Sequence, residues 1–324
     1  KIAMRAPDDG SFTAKRLDAM LQYTETRAQA LYTALAAAVG GDLKELAAYE
    51  IGFQARAIDA SYPIKLNLVE ATGAQVHAAA LGRPFQGKVL KDWWKDQSLT
   101  IRKQYRQALR LGFVEGETLQ QVTSRLADVG GLSRRQTEAV IRTATSHYSQ
   151  IARDRVTQDN KEIFAEEEWS ATLDGRTTAI CRARSGKRYP IGKGPKIPAH
   201  FGERSVRIPV TKSWKELGFD DMPEDASLDS RPFVADKRKV KDIPLKDRDK
   251  IIGTTTKRSY NEWLKTQPKP FVEDVLGKKK AKLYLDGGLP LDRFVDRAGN
   301  ELTLAELAKK ESKIFEQVLG AEAN

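Results

Sequence analysis

Residues 174–210 read DGRTTAICRARSGKRYPIGKGPKIPAHFGERSVRIPV, and this stretch decides the fold that the sequence predicts. Its glycines and prolines interrupt any helical period. The alternation of apolar and polar residues at 205–210 is typical of a β-strand, as is the composition of residues 167–172 just upstream. Together these features predict a small, irregular β-containing module at residues 165–215 of the 324-residue chain.

The sequence before this module has helical periodicity. Leucine and alanine recur every three to four residues from about Thr13 to Val39, and the pair Gly40-Gly41 is predicted to end that helix. A second pair, Gly130-Gly131, is predicted to separate two later helices. We therefore expect several helices in the N-terminal half.

Helix signals return near the C-terminus, where Ser259 and Thr303 are each followed three residues later by glutamate, the capping-box pattern. The predicted fold class is α+β, with a mainly α-helical N-terminal half, a small irregular β-containing module in the middle and a small mixed C-terminal extension. The predicted segments are a helical domain at 1–164, the basic β module at 165–215, a linker or extended arm at 216–256 and an α-rich extension at 257–324.

Composition limits the possible classes of protein. A single cysteine, Cys181, excludes an internal disulfide and fits assembly in a reducing cytosol. No apolar run approaches the roughly 18 residues that a membrane span needs, and no secretory signal is visible, so no membrane partner is expected. The formal net charge of +11 favours a polyanionic partner.

The positive charge is concentrated in one region. Residues 174–215 contain eleven lysines and arginines but two acidic residues, Asp174 and Glu203, a net charge of +9 that leaves +2 for all other residues. Glycines in the same segment allow backbone N–H groups to approach an anion. This pattern predicts contact with phosphate; the alternative is a solvated basic loop with no fixed partner.

The motifs of common enzymes and metal sites are absent. Cys181 and His200 could supply two metal ligands and Asp174 a weak third, but no C-x-x-C or H-x-x-C is present, so no metal site and no cofactor are predicted. The same three residues leave open a second hypothesis, an enzyme acting on nucleic acid or a nicotinamide donor through a Cys/His pair or a metal. The expectation from the sequence is that the chain is not an enzyme and has no catalytic residues.

The order of motifs resembles the phage head morphogenesis family, the Mu F-like minor head proteins. Members of that family read D-x-R-T, a cysteine pair, a glycine and then P-P-x-H-x-x-C-R; here Thr178 and Glu203 stand where many members have cysteine. The stretches AVIRTATSH at 139–147 and GFVEGETLQQV at 112–122 are also similar to the family. The residues that match its motifs, expected to be structural, are Trp169, Asp174, Arg176, Cys181, Gly186, His200, Arg142 and Thr143.

The resemblance implies a minor head protein of a tailed phage, assembled in the host cytoplasm and located in the virion near the portal. Its implied partners are the portal protein, viral double-stranded DNA and the major capsid or scaffolding protein. An internal virion protein ejected with the genome is a further alternative. The residues predicted to contact nucleic acid are Arg182, Arg184, Lys187, Arg188, Lys193, Lys196, Arg204 and Arg207.

Overall fold

The computed structural model describes residues 14–221, 231–257 and 259–320. Four helices come first and account for most of the N-terminal half: α1 (Ala14–Asp59), α2 (Gly73–Gly82), α3 (Leu90–Val114) and α4 (Leu119–Asp159). Six strands and seven shorter helices follow among the described residues, so the α+β prediction is confirmed.

The two glycine pairs do not end helices, and the predictions that they do so were wrong. α1 continues through Gly40-Gly41, and α4 continues through Gly130-Gly131. Each helical glycine costs about 1 kcal/mol relative to alanine, and packing along a long helix can offset that cost. Packing favours glycine at position 130, because a Cβ added there would lie only 3.3 Å from the Tyr105 hydroxyl of α3.

The described residues form two compact units that alternate along the sequence. Unit 1 comprises the described part of Lys1–Phe53 with Glu70–Arg155 and Lys196–Glu203; unit 2 comprises Gln54–Val69, Val156–Pro195 and the described part of Arg204–Asn324. These two units are defined by spatial compactness, whereas the four segments predicted from the sequence are consecutive stretches of the chain. The boundaries of the four predicted segments therefore stay a prediction.

Unit 1 is built from α2, α3 and most of α1 and α4, together with Lys196–Glu203. Its core includes Ala47, Val76, Leu109 and Ala144, all fully or almost fully buried. Between helices, Tyr32 of α1 is hydrogen-bonded to Ser133 of α4 through hydroxyls 2.7 Å apart. Ser133 is buried within the continuous helix α4, three residues after Gly130.

Unit 2 contains two three-stranded sheets. The first has the order β3-β1-β4, with β1 (Phe164–Ser170) antiparallel to both β3 (Arg188–Pro190) and β4 (Val206–Thr211). The second has the order β2-β5-β6, where β2 (Leu173–Asp174) is parallel to β5 (Arg231–Val234), and β5 is antiparallel to β6 (Ile252–Thr255). The two strands that the sequence predicted correspond to β1 and β4.

The shorter helices also belong to unit 2: α5 (Ala179–Arg184), α6 (Leu245–Ile251), α7 (Tyr260–Lys265), α8 (Lys269–Leu276), α9 (Lys278–Leu285), α10 (Leu304–Lys310) and α11 (Ser312–Leu319). The capping boxes at Ser259 and Thr303 are both present. One buried cluster joins Leu173 of β2 to Trp263 and Leu264 of α7. The core of the C-terminal extension is therefore continuous with the basic module.

The predicted linker or extended arm contains regular structure that the sequence did not reveal. β5, α6 and β6 all lie within residues 231–257, and residues 222–230 of the predicted segment fall outside the described part of the chain. β5 pairs with β2, so a strand from this polar segment extends a sheet that begins in the module.

Within the described residues, the helices are too short or too polar to cross a membrane.

Candidate nucleic-acid interface in the basic module

A buried ion pair organises the glycine-rich loop of the module. Glu167 of β1 and Arg207 of β4 are 2% exposed, and Oε2 of the glutamate lies 3.4 Å from Nη1 of the arginine. The same Glu167 oxygen accepts a hydrogen bond from the Gly192 amide at 3.0 Å, and Arg207 donates to the Gly194 carbonyl at 3.4 Å. Arg207, which was predicted to contact nucleic acid, is therefore buried, and its hydrogen bond to Gly194 stabilises the glycine-rich loop.

Asp174 is the centre of a second network. Its carboxylate accepts two hydrogen bonds from Arg204, at 2.5 and 2.9 Å, and one from the Arg176 amide at 3.0 Å, while the Thr177 hydroxyl lies 3.1 Å away. Burial alone would raise the pKa of Asp174, but the hydrogen bonds and positive charge of Arg204 outweigh it and hold that pKa below its usual value. The D-x-R-T motif and Arg204 are therefore joined in one hydrogen-bonded network around Asp174, which we call the structural lock.

The C-terminal extension contacts this lock directly. The Tyr260 hydroxyl donates to the Asp174 carbonyl at 2.8 Å, and the Tyr260 amide donates to the Ser185 hydroxyl at 2.9 Å. Arg182 is 8% exposed and donates to the carbonyls of Thr177 and Val275 at 3.1 and 3.5 Å. Arg182, another predicted nucleic-acid contact, thus connects the module to the extension. Sequence reasoning missed Tyr260, whose only local signal was its place beside a capping box.

Four further residues lie around the Asp174 network: Trp169, Arg184, Gly186 and Cys181. Trp169 is fully buried, and the Arg184 guanidinium carbon lies 5.1 Å from the centre of its ring. Gly186 has φ +82°, and an added Cβ there would lie 2.7 Å from the Ser259 Cβ. Cys181, in α5, is 2% exposed. Trp169, Gly186 and Cys181 thus lie in packed surroundings, and their structural role stays a prediction; Arg184, predicted to contact nucleic acid, packs on the Trp169 ring.

Several of the exposed cations of the module face carboxylates. Arg188 pairs with Glu168 at 3.3 Å, and Lys187 pairs with Asp292 at 3.0 Å. A 420 Å³ pocket beside them has lining residues of both signs, including Arg182, Lys187, Arg188, Glu168, Glu262 and Asp292. The net charge counted over residues 174–215 therefore overstates the positive charge that the fold presents. The signal that could have corrected it is the run Glu166-Glu167-Glu168 just before the counted window.

Lys193 has an exposed side chain on the glycine-rich loop and no ion pair with another described residue. The remaining predicted contact, Lys196, is also exposed and belongs to unit 1. Among the eight predicted contacts, Lys187, Arg188, Lys193 and Lys196 are the ones whose exposure suits a phosphate, together with the outer part of Arg204.

Residues 196–203 pack within unit 1 against α3, α4 and the loop after α2. The Gly202 amide donates to the Thr143 hydroxyl at 3.1 Å, the Gln86 side-chain amide donates to the Pro198 carbonyl at 2.9 Å, and Phe201 meets Trp93 edge to face at 5.1 Å. Thr143, which belongs to the AVIRTATSH stretch, is fully buried, and its hydroxyl holds Gly202 of this segment.

Two other predicted residues lie nearby in this unit without forming part of those contacts. Arg142 keeps 72% of its side chain exposed and lies 3.8 Å from Glu138. Nδ1 of His200 lies 2.9 Å from the Phe201 carbonyl oxygen, and the side chain is half-buried.

Comparison with known families finds one match in this region. Residues 100–202, less than half of the chain, match the family model described as phage Mu protein F like protein. Neither the curated proteins nor the solved structures compared with the chain give a match. The matched region begins in α3 and ends at Gly202, so it includes Thr143, Asp174, Cys181 and His200. That family implies a role in phage head morphogenesis. The resemblance is thus confirmed over residues 100–202, which are similar to the phage Mu protein F-like family.

Proposed function

We propose that the chain is a minor head protein of a tailed phage, present in few copies near the portal vertex. Its role would be to assist head assembly and DNA packaging, retention or ejection through DNA contact that does not depend on sequence. The observation that carries this proposal is the Mu F-like match over residues 100–202, which lies across both the helical unit and the module.

The surface chemistry of the module supports contact with phosphate. Lys187, Arg188, Lys193 and Lys196 are exposed. Contacts of this kind position a protein on DNA without selecting a sequence.

The DNA contact is testable by its dependence on salt. Each phosphate neutralised by lysine or arginine contributes a slope of about −0.9 to log K against log salt concentration. Four such contacts predict about 100-fold weaker binding when salt rises from about 50 to about 200 mM. Filter binding with two duplexes of unrelated sequence should give equal affinities; failure to bind either duplex at low salt would contradict the DNA contact.

The place in the particle needs a separate test. Mass spectrometry of purified phage particles should detect the chain in low copy number, and a map of the portal vertex should place it against the portal protein. The major capsid or scaffolding protein is the further partner proposed. A chain that is absent from mature particles and from procapsids would contradict this role.

We propose a structural role without catalysis. The Asp174 carboxylate is occupied by Arg204, and the 2% exposure of Cys181 leaves its thiol inaccessible to a substrate. Incubation with DNA and a divalent metal, or with a nicotinamide donor, should therefore give no product. An activity that disappears in His200→Ala would overturn this part of the proposal.

A further inference from the structure

A second basic surface lies on α3, outside the module on which the sequence reasoning concentrated. Arg102, Lys103, Arg106 and Arg110 line a shallow groove of 550 Å³ together with Leu99 and Gln107. Residues three and four apart lie on the same side of a helix, so these four cations form one stripe. We call these four residues the α3 stripe.

The stripe faces solvent because the opposite side of α3 forms part of the unit 1 core. Ile101, Ala108 and Leu109 are 4%, 7% and 0% exposed, respectively, whereas Lys103 and Arg110 are exposed. No acidic residue occurs between Leu99 and Val114. The stripe therefore concentrates four positive charges along about 12 Å of helix, from the 1.5 Å rise per residue.

Two members of the stripe are oriented by α1. Arg102 donates to the Gln29 side-chain carbonyl at 3.3 Å and to the Ser98 carbonyl at 3.3 Å, and Arg106 pairs with Glu25. Lys103 and Arg110 form no ion pair with another residue in the described part of the chain. The stripe thus keeps two cations available, beside two arginines that are already positioned.

We propose that the α3 stripe binds the phosphate backbone of duplex DNA and supplies the stronger part of the DNA contact. The inference rests on the proposed function and names the surface through which it acts. DNA presents one negative charge per about 1.7 Å of helix axis, a density that a row of closely spaced cations can neutralise. Three of the four cations are arginines, whose planar guanidinium groups suit phosphate oxygens.

An acidic protein is the competing partner, and the composition of the groove argues against it. Protein interfaces have an apolar centre enriched in aromatic anchors. The lining of this groove has Leu99 as its one apolar residue and no aromatic residue. A rim of cations without such a centre fits a uniformly charged polymer better than a folded protein surface.

The test compares two charge-reversal variants that differ in position. The first replaces the two cations of the stripe that are not oriented by α1, Lys103→Glu with Arg110→Glu. The control, Arg134→Glu with Arg135→Glu, makes the same change in net charge at two exposed positions of α4 in the same unit. Binding of the full chain to a duplex of about 30 base pairs is measured at several salt concentrations, with circular dichroism as the check of folding.

The stripe variant should bind about 30-fold more weakly at low salt, and its salt slope should be smaller by about 2, as expected for two lost phosphate contacts. The control should change affinity by less than about 3-fold, because its two residues do not line the groove of the stripe and so remove no phosphate contact there. If the stripe variant unfolds, Lys103→Gln with Arg110→Gln tests the same contacts without adding negative charge.

The outcomes separate this inference from the proposed function. A wild-type chain that binds no duplex at low salt would contradict the DNA contact of the proposed function. A wild-type chain that binds, while the stripe variant and the control bind equally well, would overturn the inference alone. Binding of polyglutamate with the affinity measured for DNA, lost in the stripe variant, would assign the stripe to an acidic protein and would also overturn it.

Discussion

The basic module of unit 2 and the α3 stripe of unit 1 use arginine and lysine in different ways. In the module, Arg207 and Arg204 are held by the carboxylates of Glu167 and Asp174, and Arg182 is enclosed against backbone carbonyls. On the stripe, Lys103 and Arg110 are exposed on a face that carries no acidic residue. The same residue types therefore act mainly as internal connections in one region and as an open charged surface in the other.

This contrast shows that a high density of cations in sequence does not measure exposed charge. The module is the most basic segment of the chain, yet glutamates from its own first strand and Asp292 from the extension neutralise part of it. The stripe is less conspicuous in sequence, because its cations are separated by apolar residues that face the core. The fold thus decides which cations can meet a polyanion.

The largest effect is expected from removing the cation that pairs with the buried Asp174 carboxylate. Arg204→Ala leaves the buried Asp174 carboxylate without its main partner, and we expect a loss of about 3 kcal/mol in the free energy of unfolding of unit 2. The control Lys237→Ala removes an exposed pair with Asp274 and should cost less than about 1 kcal/mol. Urea denaturation measures both; equal losses would contradict a structural lock at Asp174.

The same lock predicts acid sensitivity. Because the folded-state pKa of Asp174 is below its ordinary value of 3.8, its contribution is fully present above that value and is lost as the pH falls through the folded-state pKa. The wild-type chain should therefore lose more stability than Arg204→Ala between about pH 4 and about pH 2. Parallel losses in the two proteins would show that Arg204 does not set the ionisation of Asp174.

A smaller effect is expected from Gly186→Ala. The change places a Cβ at φ +82° and 2.7 Å from the Ser259 Cβ, where the extension meets the module, and should cost about 2 kcal/mol. Gly192→Ala is the matched control, since it has φ +73° but an added Cβ would meet only the Gln158 side chain, at 3.8 Å. Thermal unfolding should give a larger loss of stability for Gly186→Ala than for Gly192→Ala. Equal losses would show that backbone strain alone, and not the contact with Ser259, causes the destabilisation.

The smallest effect is expected from freeing a cation of the stripe. Glu25→Gln removes the carboxylate that pairs with Arg106, and affinity for duplex DNA should rise about 3-fold at low salt. Glu138→Gln changes the net charge equally but lies beside Arg134 on α4, so it should change affinity less. Fluorescence anisotropy with a labelled duplex is sensitive enough for this comparison; a larger rise in the control would place the DNA contact on α4.

The sequence predicted the elements whose signals are local. The capping boxes at Ser259 and Thr303 begin helices, and the alternation near residue 205 corresponds to β4. The predicted ends at Gly40-Gly41 and Gly130-Gly131 were wrong, because glycine disfavours a helix by only about 1 kcal/mol per residue and packing along a long helix can offset that cost. The pairing of β5 with β2 was not predicted, because it joins residues far apart in sequence.

The candidate site was predictable as a motif but not as a surface. The order of Asp174, Gly186 and Arg204 along the chain indicated the family, because such an order can be read from the sequence alone. Among the partners that neutralise the cations, Glu168 stands in an acidic run beside the basic segment, whereas Asp292 could be identified only from the tertiary structure. The exposure of the α3 stripe likewise depends on which side of the helix packs into the core.

Crosslinking of the full chain to a duplex by ultraviolet light, followed by mass spectrometry, locates the DNA contact without any substitution. If cations that lack carboxylate partners form the main contact, the crosslinked peptides come chiefly from residues 99–114, and the exposed loop around Lys193 gives a weaker second signal. Crosslinks confined to residues 182–207, with none in α3, would contradict that conclusion and return the DNA contact to the module.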